Sequence, residues 1–374
     1  MVPNALDQDR SGSIEHNRPK PRIAQLDGLR AVAVLMVFAS HGIRSQLLWS
    51  GVDLFFVLSG FLITGILLQE RREHSWNTYF SSFYSRRARR ILPSYLLFLV
   101  LTSVLFGVGW LRHWYLFAFL MNTTPFFHFA GAYSQGVLWS LAVEEQFYLL
   151  WPVAVYSLSE AAVAWLAIGL VVAAPLLRGV ATAFFPNHWD IYTGTPFRMD
   201  LLAAGALIAL AWRHNPISVK RFGVLGFSFA GVVAIALCLL STHPWFQPGA
   251  NTVLVNVWLY ELTLLGYVGV LLWALSGRFV GPLKWKPLVY LGRISYTVYL
   301  VHAAAIVVMR KHISHSTLAS LLALGATISY AALSWRFIEQ PILRGGKRQA
   351  EKDVEQRAVR NEGESTISSR MPEL

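Results

Sequence analysis

Charge is what this sequence has least of. Only 14% of its 374 residues are Asp, Glu, Lys or Arg, against roughly a quarter in soluble domains, while 55% are hydrophobic. That balance excludes an ordinary soluble chain. Cysteine is nearly absent as well: the single Cys238 excludes a disulfide framework and a cysteine-built metal site, and its place in an apolar run predicts a core residue. No metal site is expected from the other ligand types either. There is no fixed-period repeat, no Gly/Ser linker and no second soluble domain. Residues 1–22 are polar, contain Asp7, Asp9 and Glu15, and lead into an apolar stretch without a small-residue cleavage site, which argues against a secretory signal peptide.

What is present is a succession of apolar blocks, at 26–43, 52–69, 91–109, 113–129, 137–157, 159–178, 196–212, 222–241, 252–275, 289–309 and 316–337. A bilayer core of about 30 Å takes roughly 20 apolar residues per helical span. The formal charge of +12 would suggest nucleic acid in a soluble protein. Here the Lys and Arg fall between the blocks, where they mark cytoplasmic loops, so a lipid bilayer is the expected partner and nucleic acid is not. Five basic segments result: the N-terminus, the loop with Arg71, Arg72, Arg86, Arg87, Arg89 and Arg90, the turn with Arg213, Lys220 and Arg221, the turn with Arg278, Lys284 and Lys286, and the tail.

Placing all five on one side requires an even number of crossings between Arg90 and Arg213, where five blocks stand. The block 113–129, with His113, Asn122, Pro125 and His128, is the weakest. It is expected to be re-entrant or interfacial, which is tolerated where protein or a watery cavity surrounds the backbone. The fold expected is all-α and polytopic, with about ten transmembrane helices and both termini cytoplasmic. A membrane domain at 23–343 would be flanked by disordered cytoplasmic segments at 1–22 and 344–374.

Ionisable side chains inside spans are costly and draw attention. The first block reads LDGLRAVAVLMVFASH, with Asp27, Arg30 and His41. Eleven helical residues return to within roughly 20° of the starting direction over about 16 Å, so Arg30 and His41 share one face. His41 is either an interfacial histidine at a helix end or a proton acceptor suited to a hydroxyl near neutral pH.

In LWSLAVEEQFYLLWP, Ser140, Glu144 and Tyr148 recur every fourth residue and line one face, with Glu145 about 100° away. Glu144 falls at a depth reachable from His41, so a His and carboxylate pair is plausible, with either Glu144 or Glu145 as the partner. Helix-packing hydrogen bonds, or a proton relay in a transporter, would use the same residues.

The basic loop ends in FYSRRARRILP. Arg87 and Arg90 are neighbours on one face if the segment is helical, and Pro93 is expected at the start of the next helix, where its missing N–H is harmless. Clustered guanidiniums bind phosphates; a basic loop is equally expected for topology and anionic lipid. Arg198 and Asp200 in TPFRMDLLAAG, and Tyr299 and His302 in LGRISYTVYLVH, either line a polar cavity or serve as an ion pair and ordinary packing. Gly51 and Asp53, and Trp335 to Pro341, read as helix-end devices as readily as site residues.

Together these features resemble the acyltransferase-3 family of integral-membrane acyltransferases over roughly residues 23–343. The resemblance is carried by Arg30 to His41, by Arg87 and Arg90 before ILP, and by the Ser140, Glu144 and Tyr148 spacing, all in the family's order. It implies a bacterial inner-membrane enzyme with acyl-CoA, acetyl-CoA foremost, as co-substrate, no bound cofactor, and a glycan or other hydroxyl as acceptor. It implies His41 as catalytic base, Arg30 along the same essential face, Arg87 and Arg90 holding the acyl-CoA, and Ser140, Glu144 and Tyr148 lining the cavity. The C-terminal esterase-like domain of some members has no counterpart in this sequence, so the domain would act alone or with a separate partner. A proton-coupled transporter of a glycan or sugar, with His41 and Glu144 as relay, is the alternative.

Overall fold

The computed structural model describes residues 23–43, 48–107, 113–123, 136–247 and 249–346. Ten helices of sixteen residues or more appear among them: α1 (Ala24–Gly42), α2 (Gly51–Glu73), α3 (Trp76–Phe106), α4 (Leu138–Ser157), α5 (Glu160–Ala181), α7 (Met199–His214), α8 (Pro216–Leu240), α9 (Tyr260–Ser276), α10 (Lys286–His312) and α11 (Ser316–Ser334). A six-residue helix, α6 (His188–Thr193), precedes α7. π-helical turns open α9 (Val255–Leu259) and extend α11 (Trp335–Glu339).

Seven helical stretches are long and apolar enough to cross a membrane, which makes this a multi-pass membrane protein. The expected count of about ten is met only to that extent. The helices α1, α4 and α7 fall outside the seven, because α7 has 16 residues and the other two carry Asp27, Arg30 and His41, or Glu144, Glu145 and Gln146. In α1 and α4 the ionisable and polar side chains are what lower the hydropathy.

Burial is arranged for lipid rather than water. The most apolar stretch of α2 is 78% buried, whereas those of α5 and α8 are 17% buried despite similar hydropathy. Their exposed Trp165, Leu176, Phe222 and Leu225 form the kind of apolar surface that in water would mark an interaction site. Cys238, expected in the core, is exposed on α8. The buried stripe of that helix runs through Val219, Gly223, Gly226 and Val233, and Cys238 lies off it.

Two close helix crossings position the site. At the first, a Cβ on Gly60 of α2 would collide with the Leu202 backbone of α7, and one on Gly205 with the Val57 carbonyl. Only glycine permits that approach, the device by which membrane helices pack without a hydrophobic driving force. At the second, Gly292 of α10 sits against the Asp27 carbonyl of α1. The two helices run parallel from there, so that His41 and His302 meet further along.

The basic loop expected between the second and third blocks is mostly helix. The helix α3 starts at Trp76 and carries Arg86 to Arg90 as continuous helix, with Pro93 inside it rather than at its start. The missing N–H of Pro93 leaves the Arg89 carbonyl without its helical donor. Arg71 donates to the Val155 and Leu158 carbonyls at 2.9 and 2.6 Å, capping the end of α4 with a cation where the helix dipole favours one. Glu160 at the start of α5 meets Arg72, Arg213 and His214, which gathers the ends of α2 and α7 on that face.

Of the expected re-entrant segment, residues 113–123 are described and form two short 3₁₀ turns rather than a span. Tyr95 donates to the Leu116 carbonyl at 2.7 Å, and Gln146 donates to the Phe119 carbonyl at 3.0 Å and to Asn122 at 2.9 Å. Its irregular backbone is therefore held by α3 and α4. Residues 124–129 lie outside the described residues, as do 1–22 and 347–374, where most of the two expected disordered segments fall. The last helix continues to Gly346, just past the expected domain end at 343.

Candidate functional site

A cavity opens among α1, α2, α3, α4 and α10. Arg30, Arg87 and Arg90 stand in its wall with Glu144, the only carboxylate among the lining residues. The face-sharing read from the i, i+4 spacing of α4 holds: Ser140, Glu144 and Tyr148 all line it. The helical continuity of α3 puts Arg87 and Arg90 on a common face towards them.

The polar groups are tied together across helices. Ser59 of α2 donates to Glu144 at 2.7 Å and Tyr148 donates to the other carboxylate oxygen at 3.2 Å. The Arg87 guanidinium lies over the Tyr148 ring, 4.7 Å from its centroid, and both Arg30 and Arg87 are within electrostatic reach of Glu144. Glu145 stands apart, with a buried oxygen that has no hydrogen-bond partner among the described residues.

Tyr299 of α10 is a wall residue of the cavity. Its hydroxyl donates to the Val137 carbonyl at 2.9 Å and lies 2.6 Å from the Ser140 hydroxyl, which pins it to the first turn of α4. From Tyr299 a chain of contacts leads away from the cavity. Its ring is 5.5 Å from that of His302, and the His302 ring is 5.1 Å from that of His41.

The pairing of His41 with a glutamate is not what the structure contains. His41 Nδ1 lies 2.9 Å from the Val37 carbonyl and 3.3 Å from His302 Nε2, while Glu144 is engaged by Ser59 and Tyr148. Helical periodicity gave Arg30 and His41 one face, but Arg30 lines the cavity and His41 does not. The intervening turns of α1 pack against α10, and His302 of that helix meets His41. His302 likewise stands behind the wall, fully buried, rather than in it.

Arg198 and Asp200 are not cavity residues either. Arg198 pairs with Asp53 and is flanked by the Tyr192 and Tyr260 rings, at 5.0 and 4.9 Å. Asp200 pairs with Arg178 at 2.7 Å, and Arg178 also pairs with Glu261. Buried charges demand partners, and Asp53, Arg178, Arg198 and Asp200 are buried at 1% exposure or less, so the ion-pair reading holds. Asp53, read as a helix-end residue, is the acceptor for Arg198 and also receives Thr263 at 2.9 Å. Glu339 in WRFIEQP accepts from Thr297 at 2.7 Å and Ser334 at 3.1 Å, which fastens the last helix to α10.

Ser59, Ser295 and Tyr296 line the cavity too and are not among the residues expected from the sequence. A lone Ser59 in an apolar run gives no pattern, but Ser295 and Tyr299 show the same i, i+4 spacing that identified the α4 face. Among the described residues no group of three His, Cys, Asp or Glu could hold a metal ion.

The class of protein that a polar, arginine-bearing cavity within a helical membrane domain defines is given by comparison. The chain belongs to the acyltransferase-3 family, whose profile, described as an acyltransferase domain, matches residues 23–337. It is similar to the peptidoglycan O-acetyltransferase OatA of Listeria monocytogenes, 31% identical over 362 residues, covering 87% of this chain and 56% of that protein. It is also similar to the putative peptidoglycan O-acetyltransferase YrhL of Bacillus subtilis, at 30% over 390 residues, 96% of this chain and 60% of that one. A putative O-acetyltransferase of Staphylococcus aureus strain COL is 27% identical over 359 residues, 87% of this chain and 58% of the relative. This chain thus spans somewhat more than half the length of those relatives. No solved structure matches it.

Proposed function

We propose that this chain is a membrane O-acyltransferase that moves an acyl group, acetyl foremost, from coenzyme A to a hydroxyl of a cell-surface or lipid-linked glycan. The observation that carries this reading is the cavity, in which three arginines face one carboxylate and a row of hydroxyls in a chain of this family. Arg87 and Arg90 offer forked, charged donors of the type that holds phosphates, and Arg30 adds a third. The donor's phosphates would stay with them, with the acyl end directed along Ser140 towards Tyr299. The arginine-bearing stretch of α3 faces the cytoplasm on the charge argument, so the donor would come from the cytosol; the bacterial sources of the relatives support a bacterial cytoplasmic membrane as the setting.

His41 is the general base in this reading. Its Nε2 takes the proton of the acceptor hydroxyl, the oxygen bonds to the thioester carbonyl carbon, the C–S bond breaks, and the proton passes to the leaving thiolate. That role rests on the family resemblance carried by the Arg30 to His41 spacing; Tyr299 and His302 link the cavity wall to His41. A glycan acceptor is supported by the names of two relatives, which specify peptidoglycan.

A proton-coupled glycan transporter would use an intramembrane carboxylate similarly. Family membership and the phosphate-suited arginines favour transfer. The test is acyl transfer from radiolabelled acetyl-CoA to a glycan acceptor by the purified protein in proteoliposomes. Label should appear on the acceptor; glycan movement across the bilayer without acylation would overturn the proposal.

A further inference from the structure

Two imidazoles meet where a base and a carboxylate were expected, and the hydrogen bonds around them fix what each can do. We infer, resting on the proposed role of His41 as base, that His302 is its positioning residue. It holds the His41 proton on Nδ1, turns the unprotonated Nε2 to the acceptor, and steadies the imidazolium formed during transfer.

A carbonyl oxygen only accepts hydrogen bonds. His41 Nδ1 is 2.9 Å from the Val37 carbonyl, so Nδ1 carries hydrogen and, in the neutral ring, Nε2 holds the lone pair. His302 Nδ1 is 2.5 Å from the Tyr299 carbonyl, so that nitrogen also carries its hydrogen. His302 Nε2 faces His41 Nδ1 at 3.3 Å. Because the His41 nitrogen is already the donor, His302 Nε2 must be the acceptor. The His41 N–H is then shared between the Val37 carbonyl and His302, and both tautomers follow from the Val37 and Tyr299 carbonyls. The 51° between the two ring planes suits an edge-directed hydrogen bond rather than stacking.

The frame around the pair is fixed from three sides. Tyr299 uses its carbonyl to set the His302 tautomer and its hydroxyl to hold the first turn of α4. Arg310 of α10 donates to the Gly42 and His41 carbonyls at 2.5 and 3.3 Å, and Ser320 of α11 donates to Gly42 at 2.7 Å. These side chains satisfy the open carbonyls at the end of α1, immobilising the backbone beneath the His41 ring.

In hydrolase triads a carboxylate on Nδ1 orients the imidazole while Nε2 handles the substrate proton. Here a neutral imidazole takes the carboxylate's place, and it can be buried at far less cost than a charge. When His41 Nε2 has taken the hydroxyl proton, its Nδ1–H bond to His302 becomes charge-assisted and stronger. His302 makes and breaks no covalent bond; the proton leaves again from His41 Nε2.

The test uses the full chain in proteoliposomes with radiolabelled acetyl-CoA. His302→Leu should lower turnover about 10- to 100-fold, the scale lost when the partner that orients a metal-bound histidine is removed, with KM for acetyl-CoA unchanged within about twofold. His302→Gln, whose Oε1 can accept where Nε2 did, should return turnover to within about fivefold of the unmodified protein. Nitrogen NMR of the 15N-histidine-labelled protein should show the His41 signals, identified by their loss in His41→Gln, with hydrogen on Nδ1. A proton on Nε2, wild-type turnover in His302→Leu, or a His302→Gln protein that reaches the membrane yet is no better than His302→Leu would each overturn the inference. Full acylation by His41→Ala would instead remove the base role on which it rests.

Discussion

Ser59 on α2 donates a 2.7 Å hydrogen bond to the Glu144 carboxylate on α4, so the charge on the cavity wall is held by a hydroxyl from the helix opposite. Tyr148, one turn below on α4, holds the second oxygen. The carboxylate is thereby aimed into the space shared with Arg30 and Arg87, away from the His41 and His302 pair. Loss of the Ser59 hydroxyl should loosen that aim without removing the charge. Ser59→Ala is expected to lower acyl transfer about tenfold, the equivalent of one hydrogen bond to a charged group, and Glu144→Gln by on the order of 100-fold. Turnover per folded protein, normalised by membrane abundance, checks both. Equal turnover in all three proteins would reduce the carboxylate to a packing element.

Arg87 and Arg90 are assigned to the donor. Replacing both with alanine should raise the KM or Kd for acetyl-CoA at least tenfold, since each charge-assisted hydrogen bond contributes roughly 1.5–3 kcal/mol, and should change acceptor affinity little. Isothermal titration with a non-hydrolysable acyl-CoA analogue measures the donor term. A proportionate loss of acceptor binding would show that the arginines support the fold rather than the phosphates.

The buried Arg198 and Asp53 pair predicts an asymmetric response. Asp53→Ala leaves a guanidinium buried among Phe56, Tyr192 and Tyr260 without its counter-charge, which costs about 3–5 kcal/mol. The joint replacement Asp53→Leu with Arg198→Met should be much milder, because no orphan charge remains. Thermal unfolding in detergent compares them. A double replacement as unstable as the single one would mean that the pair organises more than itself.

The glycine contact between α2 and α7 should be as sensitive to size as the ion pairs are to charge. Gly60→Val forces a side chain into the Leu202 backbone and is expected to destabilise by about 1–3 kcal/mol or more, with loss of the Ser59 and Glu144 alignment one residue away. Gly65→Ala on the same helix, where a Cβ meets nothing within 4 Å, serves as the control and should leave melting temperature and acylation unchanged. If Gly60→Val also folds normally, helix approach at this crossing is set elsewhere.

Hydropathy made the helical blocks legible, and spacing made two faces legible: Ser140, Glu144 and Tyr148, and the arginines three apart on α3. Those are local properties, decided within one or two turns by the 3.6-residue period. Partner choice between helices was not legible, because it depends on which helices cross and how closely. His41 meets His302 across 261 positions because Gly292 lets α10 approach the Asp27 backbone, and nothing in either local sequence fixes that crossing. Pro93 misled for the same reason: its restriction marks a first turn in isolation, yet within a 31-residue helix the packed neighbours carry the helix through. Ser59 left no trace, being one hydroxyl in an apolar run.

The most direct measurement is acyl transfer by His41→Ala, with the protein present in the membrane at the level of the unmodified chain and binding acetyl-CoA with the same affinity. That variant should keep labelled acetyl-CoA bound while the acceptor stays unlabelled, a loss of at least 100-fold. Acceptor labelled at the normal rate would contradict the role of His41 as base.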